Sequence, residues 1–435
     1  MIRSMIVLGL AFSTSPPPQT TPQAVPKDPP TIELAPTGSA AWTATYRISV
    51  PATKLVFWRD SKGERSKQWT SGGDFEIVGE GRHDVLRRKD GNPFTMAAVT
   101  VPARFIEAPG DYAPFIPFSD GGLLIYTGQF LACADKCPPT PDWKFTADIG
   151  PSRRAIVDGR VRSGTVSWTD SHTARYLFVG NAKPIDSPSF TAVIDPSVPA
   201  PVRASLRANF PKFMDFFRQH LGPPSAKPML FVSFDEHYPD SGSKGASLAH
   251  DIFMHLYGTW PTDPDWPRRV TWYFAHEAGH DFQKIDIPPS TADSWVHEGA
   301  AEMFAALALR HASPELAAYV QTRFEPARRD CAEGLKLSTL HDALKSGNTD
   351  LDYTCGLVLQ ATIDHGIRRM NPKSDGLFAL WRYYWARVQA GAPAGSETYL
   401  ASVKVLAGKD TADWARHVLS DRLDDPLTAL MGGAA

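Results

Sequence analysis

Between residues 41 and 185 apolar and polar side chains alternate in short runs, the period-two pattern of half-buried strands. Residues 41–50, 96–106 and 123–131 carry it most clearly, and turn-forming clusters such as Lys89-Asp-Gly-Asn-Pro93 separate the runs. Short strands joined by turns predict an antiparallel β domain over 41–185. From residue 186 the texture changes. Residues 202–221 have helical spacing, 228–234 read as one strand, and beyond Pro264 nearly every segment has a helical period. Asp265 with Pro267 behind it, and Ser313-Pro-Glu315, read as helix starts; Gly347 and Gly408 read as helix ends. The fold class expected is α+β, with the β domain followed by a mainly helical domain over 186–435.

The first residues read as an address. Met1-Ile-Arg3 gives a positive start, residues 5–12 are apolar, and Ser13-Thr-Ser15 supplies small residues. This is the outline of a secretory signal over 1–16, with an uncleaved N-terminal anchor as the alternative; no other segment approaches the length of a membrane helix. Residues 17–40 follow as a Pro/Thr-rich tether. An exported, periplasmic or secreted protein is therefore expected. Its four cysteines allow three pairings, of which the local pairs Cys133–Cys137 and Cys331–Cys355 are the expectation; four buried thiols are the alternative. A length of 435 residues suits more than one domain. Lys plus Arg number 45 against 47 for Asp plus Glu, a balance that gives no reason to expect nucleic acid or an anionic membrane as partner. A peptide or protein substrate, or a small molecule, fits that balance.

The candidate chemistry lies in His276-Glu277-Ala278-Gly279-His280. Positions i and i+4 share a helix face, so both imidazoles can hold one metal while Glu277 stands beside them as a base. Such a five-residue pattern arises by chance in roughly one chain in fifty, so two histidines merely flanking a core are the competing reading. The next helical segment narrows that choice. Glu298 in Ser294-Trp-Val-His-Glu-Gly is a candidate third ligand, and Glu302 one turn on could take the outer N–H of a ligating histidine. Carboxylates in so apolar a helix are costly unless paired or bound to metal; a solvated edge is the bland alternative. His297 points some 100° away from Glu298 and ranks below it as a ligand.

His276-Glu-x-x-His280 together with Trp295-x-x-Glu298-Gly299 resembles the gluzincin zinc peptidases, most closely the aminopeptidase N and glycyl aminopeptidase families. The resemblance implies a thermolysin-like catalytic domain binding Zn2+ through His276, His280 and Glu298, with Glu277 as general base. Seventeen residues separate His280 from Glu298, one fewer than is usual there, and Pro288-Pro289 suggest a trimmed connection. Tyr353-Thr-Cys-Gly resembles the Tyr-x-Lys-Gly stretch whose tyrosine donates to the oxyanion, a role that would fall to Tyr353; a tyrosine in the core at a helix start is the alternative. Residues 397–410 followed by Trp414 resemble the families' closing helix pair, so the likeness covers roughly 186–425. One element departs. Where relatives carry Gly-x-Met-Glu-Asn, whose glutamate binds the substrate amine, this chain has Gly245-Ala-Ser-Leu-Ala-His-Asp251, with Leu248 in the glutamate's place. Asp251 and Glu302 are the candidate substitutes.

The function expected is zinc-dependent hydrolysis of peptide bonds by an aminopeptidase. An endopeptidase with the same metal site and a non-catalytic exported zinc-fold binding protein are the alternatives. The sequence does not express an oligomeric state.

Overall fold

The structure is a computed structural model describing residues 29–432 apart from 39, 109–110, 140, 249, 260–264 and 286–292. The segment read as a signal, most of the tether and the Pro288-Pro289 connection lie outside the described residues.

The β half forms three sheets around one apolar core. In Ala41–Ala52 the side chains of Trp42, Ala44, Tyr46 and Ile48 alternate inward, as the period-two pattern requires. The runs expected at 96–106 and 123–131 are shorter as strands. The first is Phe94–Pro102; the second stops at Tyr126, and a 3-10 turn, Thr127–Phe130, follows. That turn is wholly buried, so its apolar character comes from its place in the core, not from strand alternation.

A further strand, Thr31–Thr37, lies inside the stretch expected to be tether. Ile32 and Leu34 alone point inward, too short a signal to stand out among prolines and threonines. The strand is stabilised by neighbours on both sides. It pairs antiparallel with Ala41–Ala52 and parallel with Trp143–Asp148, so the domain expected to be antiparallel contains one parallel pair.

A fourth, mixed sheet joins the halves. Thr191–Ile194, Met229–Asp235 and Asp251–Tyr257 are parallel, and Gly242–Leu248 runs antiparallel along the edge. Alternate residues face opposite cores. Val193, Met229, Phe231 and Phe253 pack into the β half, while Ala192, Leu230, Val232, Ile252 and Met254 pack under the helices.

Ten helices occur among the described residues: α1 (Glu64–Gln68), α2 (Ala200–Leu221), α3 (Trp266–Gln283), α4 (Ser294–Ala312), α5 (Pro314–Leu337), α6 (Leu351–Met370), α7 (Leu377–Gln389), α8 (Ser396–Ala407), α9 (Lys409–Ser420) and α10 (Pro426–Gly432). The starts of α3 and α5 fall where the sequence places them. The Ser313 hydroxyl caps α5 by accepting from the Leu316 amide, whereas Asp265 makes no capping bond and pairs with Arg268 instead. Gly408, in the left-handed region at φ 92°, ends α8 as expected; Gly347 stands in a turn ten residues beyond the end of α5. None of the described helices is long and apolar enough to cross a membrane. Both local disulfides are formed, and Cys331–Cys355 ties α5 to the second turn of α6.

Candidate metal centre

α3 and α4 bring three donor atoms into one small triangle. His276 Nε2 lies 3.0 Å from His280 Nε2 and 3.2 Å from Glu298 Oε2, and His280 Nε2 lies 3.3 Å from the same oxygen. Donors in a tetrahedral zinc shell, each about 2.0–2.1 Å from the ion, stand about 3.4 Å apart. The two nitrogens and one carboxylate oxygen therefore match zinc in both type and spacing. They form the one group of three metal-capable side chains found among the described residues.

Each histidine is held from behind. His276 Nδ1 lies 2.9 Å from Glu302 Oε1, and the other Glu302 oxygen accepts the Trp272 indole N–H at 2.9 Å. Both Glu302 oxygens are thus engaged, which removes it as a substitute anchor for a substrate amine. His280 Nδ1 lies 2.8 Å from Gln283 Oε1, and Gln283 Nε2 donates to the His297 carbonyl at 2.7 Å. These contacts fix the ring orientations and leave Nε2 to face the centre of the triangle. Trp272 and Gln283 were not singled out from the sequence. Their positions four residues before His276 and three after His280 were the available signal.

Electrostatics tie the three donors together. Burial raises the Glu298 carboxyl, but His280 and His276 outweigh it and hold the group well below its ordinary range. Burial lowers His276, and the Glu298 and Glu302 carboxylates more than reverse that, so its pKa is raised well above normal. Glu277 is raised by burial, an effect opposed by the two histidines and reinforced by Glu298. A carboxylate raised toward neutrality is better matched to taking and returning a proton. His297 stacks on His280 with ring centroids 4.4 Å apart, and burial lowers it to about 3. It is a neutral packing partner outside the donor triangle.

The Tyr353 ring lies 5.7 Å from that of His276 and is 39% exposed, so the tyrosine is no core residue. Burial of its hydroxyl, then the charges of Glu298 and Glu277, raise its pKa and keep it a donor. Close helix packing sets its position. A Cβ on Gly299 would stand 2.6 Å from the Gly356 Cα, so α4 and α6 touch backbone to backbone beside Glu298 and Tyr353. The Ser294 hydroxyl also donates to Asp352 at 2.6 Å, joining the first turns of the same helices.

The strand side differs. Gly242–Leu248 has a strand neighbour on one side only, and the Ser247 hydroxyl donates to Asp281 at 3.2 Å, fastening the edge to α3. Leu248 packs partly against the β core and supplies no charge. Asp251 is 1% exposed and accepts from the Tyr176 amide at 2.6 Å. It faces the β half, so it is excluded as a substitute anchor.

No family model matches the sequence, and no curated protein does. Solved structures do. An aminopeptidase N family protein from Idiomarina loihiensis superposes with a TM-score of 0.69 at 11% identity, covering 93% of this chain and 78% of that one. Native leukotriene A4 hydrolase from Saccharomyces cerevisiae superposes with a TM-score of 0.51 at 12% identity, covering 94% and 70%. A second native yeast structure of that hydrolase gives 0.52 at 12%, covering 96% and 73%. With its N-terminal β sheets, its helical C-terminal half and His-Glu-x-x-His on α3, the chain shares the fold of these solved structures.

Proposed function

We propose that the chain is an exported zinc-dependent peptidase that removes residues from the free N-termini of peptides or proteins. The observation that carries the reading is the donor triangle of His276, His280 and Glu298 with the half-buried Glu277 beside it. Zinc held there would supply Lewis acidity to a substrate carbonyl and acidify an attacking water. Glu277 accepts the proton of that water and delivers it to the leaving amine. Tyr353 donates its phenol O–H to the oxygen that gains charge as the carbonyl becomes tetrahedral. Glu302 and Gln283 hold the imidazoles in register throughout.

Export is supported by the two closed disulfides, which suit an oxidising compartment. Endopeptidase activity is the second reading, and Leu248 favours it, because the edge strand presents no carboxylate at that position to hold an amine. A binding protein that keeps the zinc fold as scaffold is the third, and the intact Glu277 speaks against it. The test incubates zinc-loaded protein and its Glu277→Gln variant with free and N-blocked peptides and identifies products by mass spectrometry. Loss of single N-terminal residues from free peptides only, absent in the variant, is the expected result. Internal cuts in blocked peptides would make it an endopeptidase. Identical behaviour of the two proteins would remove catalysis altogether.

A further inference from the structure

Tyr353 is the third residue of α6, and the backbone of that first turn decides where its phenol stands. Among the described residues its hydroxyl has no hydrogen-bond partner, and its ring contact is with His276. The turn itself begins without much support. Asp350 ahead of it makes no side-chain capping bond, and residues 338–350 before it are turns and bends. Three attachments hold the start of the helix. Asp352 accepts from the Ser294 hydroxyl at 2.6 Å and Gly356 lies against Gly299, so both meet α4. Cys355 is bonded to Cys331 of α5, and both cysteines are wholly buried.

The three differ in what they restrain. A single hydrogen bond contributes little net energy, and two bare glycines offer no side chains to interlock, so these two α4 contacts oppose sliding or turning of α6 only weakly. The disulfide is covalent. At 100° and 1.5 Å per residue, Cys355 lies about 160° around α6 from Tyr353 and about 3 Å further along, so the bridge grips the helix from behind the phenol. With its side chains a helix is about 10–12 Å across, and a turn of about 10° moves a group at its surface by about 1 Å. A misplacement of about that size costs on the order of a hundredfold in rate.

We propose that Cys331 and Cys355 are positioning residues for Tyr353: their bridge holds the start of α6 at the rotation that aims the phenol at the oxygen gaining charge. The cysteines act through Tyr353 and take no part in the reaction themselves. The inference rests on the peptidase reading and on the role that reading gives to Tyr353. It assigns to the bridge a share in turnover beyond its share in stability.

The test measures kcat, KM and zinc content for zinc-loaded wild type, Cys331→Ala/Cys355→Ala, Tyr353→Phe and the triple variant. Opening the bridge should lower kcat by about tenfold or more, with KM and zinc content little changed. In the Tyr353→Phe background the same opening should lower kcat by less than about twofold, because the group it positions is gone. Equal losses in both backgrounds would mean that the bridge only holds the fold together, and would overturn the proposal. So would an unchanged kcat in the cysteine variant. Asp352→Ala supplies a check that leaves the bridge closed, and it decides the matter if the cysteine variant does not fold. It removes the hydrogen bond to α4 and should keep kcat within about twofold of wild type. A tenfold loss there would show that the hydrogen bond, not the bridge, places the phenol, and would overturn the proposal. If wild type cuts no peptide, the peptidase reading falls and takes this proposal with it; a slow Tyr353→Phe beside a fast cysteine variant removes the proposal alone.

Discussion

On the helical side of the metal centre, each metal donor has a defined neighbour. His276 is backed by Glu302, His280 by Gln283, and Glu298 lies against both histidines. On the strand side, Gly242–Leu248 presents backbone and the half-buried Leu248, and its carboxylate neighbours Asp251 and Asp281 are turned inward. The metal donors are thus held by several mutually supporting polar contacts, whereas the edge strand presents Leu248 and no carboxylate at that position. Under the proposed function, the reaction and the recognition of a substrate amine rest on separate elements.

Four substitutions probe that contrast. Removing a phenol that acts only on developing charge should be the most damaging: Tyr353→Phe is expected to lower kcat by about a hundred- to a thousandfold with KM little changed, read from steady-state kinetics. An unchanged kcat would place Tyr353 outside the reaction. Glu302→Gln removes a contact behind His276, and should weaken zinc binding by about ten- to a hundredfold in competition with a chelator. Affinity equal to wild type would show that the helical wall is less interdependent than drawn. On the other wall, Leu248→Glu supplies the carboxylate that relatives carry. It should raise the preference for free over N-blocked peptides by about tenfold; no change would mean that the amine is held elsewhere.

The smallest effect is a shift with pH. Burial raises Asp352 to about 6, with the Ser294 hydrogen bond opposing it. An acid raised in the folded state favours its neutral form there. Its contribution to stability is complete below about pH 4, the unfolded value, and is lost as pH rises through about 6. Asp352→Asn should therefore gain of order 1 kcal/mol at pH 8 relative to its effect at pH 4, after allowance for partial exposure. Thermal melts at both pH values read this, and a difference of opposite sign would show that the charged form is the stabilising one.

Much of the helical wall was legible in the sequence because its information is local. His276, Glu277 and His280 lie within five residues, and Glu298 and Glu302 are one turn apart on the next helix. Trp272 and Gln283 sat at helical spacing from those histidines and needed only to be considered as partners. The β half was less legible. Alternation revealed Ala41–Ala52, but Thr31–Thr37 depends on pairing with Trp143–Asp148 more than a hundred residues away. The inward turn of Asp251 likewise depends on Tyr176 in another sheet, a contact that no local pattern encodes.

The most direct test measures zinc content and peptide turnover together on wild type, Glu277→Gln and Glu298→Gln. The account predicts one zinc per chain in the first two and a large loss of zinc from the third, with turnover in wild type alone. Full zinc occupancy in Glu298→Gln, or turnover by Glu277→Gln at the wild-type rate, would contradict it.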